Sequence, residues 1–123
     1  MPQTARDSIL ASIRLGVGVP EDYTVFDTEL IMDINSAFMV LYQLGVGDSP
    51  FQITCEDEKW SDYVSLEDNL EGVKLYIRDS VKLMFDPPMN SFLVDLLERR
   101  KKEFEWRINV QVDPGKEVQD ESI

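Results

Sequence analysis

Carboxylates are the most abundant reactive groups in this chain, and their spacing gives them little chemistry to do. There are 24 Asp and Glu against 12 Lys and Arg, a formal net charge of −12. Two acids at a suitable separation can serve as acid and base. Asp27, Glu29 and Asp33, however, cluster where a helical pattern begins, a place that suits the positive end of a helix dipole. Asp48, Glu56, Asp57, Glu58 and Asp62 are dense enough to attract a cation, but they lack the Asp-x-Asp-x-Asp-Gly order of a calcium loop. No histidine is present, which removes the commonest general base, the Ser-His and Cys-His nucleophile systems and the commonest metal ligand. Cys55 is the only cysteine, so there is no internal disulfide and no thiolate cluster for zinc. No basic residue near it in sequence would activate the thiol. Gly16-Val17-Gly18 and Gly45-Val46-Gly47 lack the Lys-Ser/Thr and the preceding strand of a phosphate loop, and read as helix stops. The expectation is a protein that is not an enzyme and has no metal and no cofactor.

Two features point instead to contacts with other proteins. Arg99-Arg100-Lys101-Lys102 is the only basic run in an acidic chain. Within a helix it can pair with Glu98, Glu103 and Glu105, or it can form a docking stripe for an acidic surface. Trp106 falls on the polar side of the same helix, beside Arg99 and Lys102, and Trp and Arg are preferred interface anchors. The alternative for Trp106 is cover by a loop or the tail of its own chain. Met32, Ser36, Met39 and Gln43 form a second line of this kind, opposite the main apolar stripe of their helix. That helix is either central in its own bundle or packed on a neighbouring subunit.

The elements that must position these residues read as four helices and a tail. Thr4-x-x-Asp7 resembles a capping box, and Ile9, Leu10 and Ile13 continue it as a helix over about residues 5–15, stopped by Gly16, Gly18 and Pro20. Asp27 is the expected N-cap of helix two, with Leu30, Ile34, Ala37, Leu41 and Leu44 on its inner stripe. Residues 46–64 form a long connection in which Phe51-Gln52-Ile53-Thr54 alternates like a short edge strand, and Trp60 and Tyr63 fold back onto the core. Helix three opens at Ser65-x-x-Asp68, carries Leu66, Leu70, Val73, Ile77, Val81 and Met84 inward, and stops at Asp86-Pro87-Pro88. Helix four runs from about Asn90 to Ile108, with Leu93, Leu97 and Phe104 inward. Arg100 falls in that stripe, so it must snorkel or meet a carboxylate. After it, Ile108, Val110 and Val112 alternate with polar residues like a strand, Asp113-Pro114-Gly115 marks a turn, and the end is polar and acidic.

The fold class is therefore all-α: a small four-helix domain with a long loop between helices two and three. We divide the chain into a helical domain at 1–109 and an extended acidic arm at 110–123. At 123 residues it is one domain in size, and no apolar run approaches the ~20 residues of a membrane span. The first residues lack the pattern of a secretory signal, which makes the cytosol the expected compartment of synthesis. A net charge this negative opposes binding to DNA phosphates.

Two stretches carry a family resemblance. The first is Asp22-Tyr23-Thr24-x-Phe26-Asp27, then Leu30-Ile31-x-x-Ile34-Asn35, then Gln43-Leu44-Gly45-Val46-Gly47. The second is Val81-Lys82-Leu83-x-Phe85-Asp86-Pro87-Pro88, then Ser91-Phe92, closing with Glu103-Phe104-Glu105-Trp106-Arg107-x-Asn109. Together they resemble the head–tail connector (adaptor, head completion) proteins of tailed phages, over about residues 7–112. The resemblance implies an all-α subunit of the virion neck. It implies a homo-oligomeric ring, commonly of about twelve copies, beneath the portal protein. DNA would pass through the ring's channel without specific binding, and a further neck or tail-completion protein would follow. On this reading Met32, Met39, Arg99, Lys102 and Trp106 contact neighbouring subunits or the portal, and an arm over Val110, Val112 and Val118 leaves its own domain. A reading from another class is a small acidic phage-encoded binding protein, or a DNA mimic that inhibits a host nucleic-acid-binding enzyme.

Overall fold

A computed structural model describes residues 7–47, 50–63 and 70–112. It contains four α-helices: α1 (Ile9–Gly16), α2 (Asp27–Gln43), α3 (Leu70–Phe85) and α4 (Ser91–Val112). A 3₁₀ turn, Trp60–Asp62, interrupts the connection between α2 and α3.

Local chemistry sets the helix ends. The capping box expected at Thr4 lies outside the described residues. The cap of α1 is Ser8, whose hydroxyl accepts from the Ala11 N–H. Helix α2 begins after Phe26, which makes no side-chain capping bond, so Asp27 is the first helical residue and not the cap. Its carboxylate is taken by an arginine instead. At the other end Gly45 has φ +99°, its N–H bonds to Tyr42 O, and the next N–H, of buried Val46, reaches back to Leu41 O. That double return, with an apolar residue tucked under the last turn, is a Schellman stop, and the left-handed φ is why glycine stands there. The cap expected at Ser65 is outside the described residues. Asn90 opens α4, its Oδ1 accepting from the Phe92 N–H at 2.8 Å.

The core lies between α1, α2 and α3. Leu30, Ile34, Leu41 and Ile77 are fully buried, as their stripes predict, whereas Met84, expected on the inner stripe of helix three, is exposed in the last turn of α3. Trp60 and Tyr63 are buried too, and Tyr63 and Phe51 both pack on the Phe38 ring, so the long connection does fold back on its aromatics. No strand forms at 51–54. Its alternation survives as burial, with Ile53 inside and Gln52 and Thr54 outside. In place of a partner strand, the Asn35 side chain accepts from the Ile53 N–H at 2.8 Å and donates to the Ile53 carbonyl at 3.0 Å.

Two expectations fail in α4. The helix continues through Val110 to Val112, so the change to extended chain expected at residue 110 falls inside it. Extending an existing helix adds a hydrogen bond for each residue fixed, whereas a three-residue alternation with no neighbouring strand has no ladder to join. The remainder of the arm, including Val118, lies outside the described residues. Leu93 was expected in the core with Leu97, but Leu93 is exposed and Leu97 only half-buried. Helix α4 packs extensively on α3 alone. Its second half reaches the core through Phe104 and buried Ile108, where Gly72 leaves room for the Phe104 ring, 2.7 Å from where a Cβ would sit. The first half runs past the core.

Candidate assembly surface

Two arginines in apolar stripes fix the frame on which the exposed faces stand. Arg14 is 1% exposed. Its guanidinium makes two bonds to the Asp27 carboxylate, at 2.8 and 2.7 Å, one to Glu56 Oε2 at 2.7 Å and one to the Glu21 carbonyl at 2.7 Å. The Asp27 bond is the main reason its pKa rises further, against a desolvation that alone would lower it. One side chain thus ties α1 to the start of α2 and to the long connection. Three further bonds strengthen that tie: Ser8 Oγ to Glu56 O, the Ile9 N–H to Glu58 O, and Trp60 Nε1–H to Ser12 Oγ. Arg100 makes the second node, donating to both oxygens of Asp79 at 2.7 and 2.9 Å. The carboxylate is what the stripe position requires, and Asp79 is what supplies it. Beside this node Tyr76 donates to Glu105 at 2.7 Å, and Lys101 lies over the Tyr76 ring. Burial, with Glu105 adding to it, holds the Tyr76 hydroxyl well above its ordinary pKa.

Outside this frame, large apolar side chains stand in solvent. Met32 is 64% exposed, and Ser36, Met39 and Gln43 share its side of α2. The monomer therefore leaves this line uncovered. On α4, Arg99, Lys102 and Trp106 follow an i, i+3, i+7 line and all are exposed, Trp106 by 57%. Neither Arg99 nor Lys102 has an ion-pair partner among the described residues. Val110 and Val112 are placed at the end of α4 by its backbone. The predicted residues do not form one patch. Met32 and Met39 lie on α2 and the others on α4, and these helices make few contacts with one another because α3 packs against both.

A third exposed face was absent from the sequence reading: Met89, Phe92, Leu93 and Leu96, around the start of α4. The signal for it was present. Phe92-Leu93-Val94-x-Leu96-Leu97 holds too many apolar residues for one inward stripe, so some had to face outward. Arg14 was missed for a similar reason. It follows Leu10 by four positions on the inner stripe of α1, the pattern that marked Arg100, but α1 is so short that the stripe is hardly established.

Among the described residues no group of three or more acidic or Cys side chains is placed to hold a metal ion, and no helix is long and apolar enough to cross a membrane. The surface features are thus apolar faces and unpaired cations on a rigid helical frame. A family model described as phage connector protein matches residues 9–115, from the first residue of α1 to just beyond α4. The chain belongs to the phage connector family. No curated protein and no solved structure matches it. Within the connector domain the match takes in all four helices, and with them the two arginine nodes and the three exposed faces.

Proposed function

We propose that this connector is a structural subunit of the head–tail junction, assembling as a ring of about twelve copies beneath the portal and continuing its DNA channel. The observation that carries the reading is the family match over the whole four-helix frame. The exposed face of Met89, Phe92, Leu93 and Leu96 supports it, because neighbouring apolar side chains left in solvent suit a docking surface. Contacts modest in each copy become strong when symmetry repeats them around a closed ring. The portal lies on one side of the ring and the next neck or tail-completion protein on the other. Trp106, with Arg99 and Lys102, contacts the portal or a neighbouring copy, and the chain that follows α4 contacts the same partners. The net charge of −12 suits a channel through which DNA slides without being held. A DNA mimic would spread carboxylates over a face; the exposed cations of α4 do not favour that reading.

The test is attachment to purified tailless heads that carry a portal, scored by negative-stain microscopy. The parent protein should add a collar to the portal vertex. Trp106→Ala should reduce occupancy at least about tenfold, the size of a modest interface anchor, and removal of residues 116–123 should weaken it further. Absence of any collar with the parent protein would refute the connector role. Full attachment by both variants would keep the role and discard these contact residues.

A further inference from the structure

Charge is divided unequally along the chain. Residues 15–58 contain no Lys or Arg and nine Asp or Glu, whereas residues 59–112 contain nine Lys or Arg against ten Asp or Glu. The fold turns this into two flanks. Helix α2, with Asp27, Glu29 and Asp33, and helix α4, with five of the nine basic residues, both pack on α3 and make few contacts with one another.

Each flank pairs its charge with uncovered apolar surface. On α2, Glu29, Met32 and Asp33 occupy neighbouring positions of one face, continued by Met39. On the other flank a groove of about 230 Å³ runs between the end of α1, α3 and the start of α4. Its apolar walls include Leu93, Leu96 and Pro88. Its charged lining is Arg78, Lys82, Arg100 and Asp79. Arg100 bonds Asp79, Arg78 stands 3.9 Å from the same carboxylate, and Lys82 meets Asp86 at the rim at 3.2 Å, so three cations face two carboxylates and the groove keeps a net positive charge in a strongly acidic molecule. It continues into a second groove of about 370 Å³ through the shared residues Gly16 and Arg78.

We infer that the α2 face of one copy, centred on Met32 and Asp33, docks into the groove beside Arg78, Lys82 and Leu96 of the next copy. The inference rests on the connector reading and specifies its subunit contact. Complementarity of charge favours this partner: a groove presenting cations meets the one long segment of the chain that has acids and no cations. The apolar parts match as well, since flexible Met32 and Met39 adapt to a groove walled by leucines. Among the described residues Asp33 makes no ion pair. Desolvation, and then the nearby charge of Glu29, hold its carboxyl above the ordinary range. A cation from the neighbour relieves both effects. Because the two surfaces differ and share no residue, the contact is head-to-tail. Such contacts close into a ring when the rotation permits.

The experiment is sedimentation velocity on the whole protein up to about 1 mM, a concentration at which contacts of millimolar affinity are visible. The parent protein should associate as concentration rises. Two variants each disable one surface: Met32→Asp with Asp33→Lys on α2, and Lys82→Glu with Leu96→Asp in the groove. All four side chains are exposed or half-buried, and far-UV circular dichroism confirms that both variants keep the parent's helicity. Each variant alone should associate at least about tenfold more weakly, because like charges now face each other. An equimolar mixture should form dimers and nothing larger, through the one intact pair of surfaces. A parent that stays monomeric at 1 mM overturns the inference. So does a groove variant that still self-associates like the parent, which indicates α2 packing on α2, and so does a mixture that forms no dimer. Failure of head attachment with dimers intact would refute the connector role and leave this contact standing.

Discussion

Arg14 and Arg100 are mirror images of one device. Both lie in an apolar stripe, and both grip an aspartate with two hydrogen bonds. At the first node the cation is buried, at 1% exposure, and its Asp27 partner is 22% exposed. At the second the anion is buried, Asp79 at 3%, and Arg100 is 41% exposed. The difference decides what a mutation leaves behind. Loss of Arg14 leaves two carboxylates that can reach water, but it unties three segments and empties space in the core. Loss of Arg100 unties little and strands a buried carboxylate, with Arg78 3.9 Å away as the nearest cation. The first node joins elements, and the second neutralises a charge.

The largest expected effect is at the first node. Arg14→Ala should lower unfolding free energy by about 3–5 kcal/mol, the range for breaking a buried ionic network, measured by urea denaturation. A cost below about 1 kcal/mol would show that α1 is held by its apolar contacts alone. Arg100→Ala should cost about 2–3 kcal/mol, somewhat less than a fully buried pair because the guanidinium is partly solvated. The added change Asp79→Leu should recover most of that loss, since the stranded charge is gone. Failure of the second change to recover stability would mean that the pair joins α3 to α4 as Arg14 joins its segments. Glu56→Gln keeps an acceptor for Arg14 and removes one exposed charge, and should cost about 0.5–1.5 kcal/mol.

The smallest effect tests a site with no arginine at all. Asp33 has a raised pKa, so its ionised form is less favourable in the fold than in the unfolded chain. The native state therefore binds more protons through the carboxylate range, and Asp33 lowers stability as pH rises through it. Asp33→Asn should stabilise the monomer at pH 7 by about 0.2–0.5 kcal/mol, the size of a like-charge i, i+4 pair. The gain should vanish below about pH 3, where the parent residue is protonated in both states.

Periodicity made the helices legible because each stripe carries its own repeat. Leu30, Ile34, Leu41 and Ile77 are buried where their spacing puts them. For Arg100 the established stripe narrows the outcome in advance to snorkelling or a carboxylate, and the structure supplies the carboxylate. Arg14 was not legible in this way, since one short helix contains few repeats. Leu93 shows a different limit. Its position in the stripe is correct, but whether a stripe meets a core depends on which helices lie beside it, and that is a property of the tertiary arrangement. Asn35 shows a third: alternation at 51–54 predicted a strand's burial correctly, while the hydrogen-bond partner came from a side chain no local pattern names. Of the surface residues, Met32, Met39 and Trp106 stand out in the sequence because each breaks the polar pattern of its face, and Arg99 and Lys102 because they belong to the one basic run, beside Trp106.

The ties of α1 to the connection also set an order of events during synthesis. Trp60 and Ser12 are 48 positions apart in the chain, and Arg14 and Glu56 are 42 apart. A helix of eight residues has no stability of its own. When α1 leaves the ribosome, its partners have yet to be made. At about 5–20 residues per second, roughly 2–10 s pass before Trp60 follows Ser12 out. Through that interval Ile9, Leu10 and Ile13 have only the emerging α2 to bury against, without the connection or α3. The first helix of the sequence is thus among the last to settle, and the newborn chain displays a sticky apolar segment until the connection arrives to close over it.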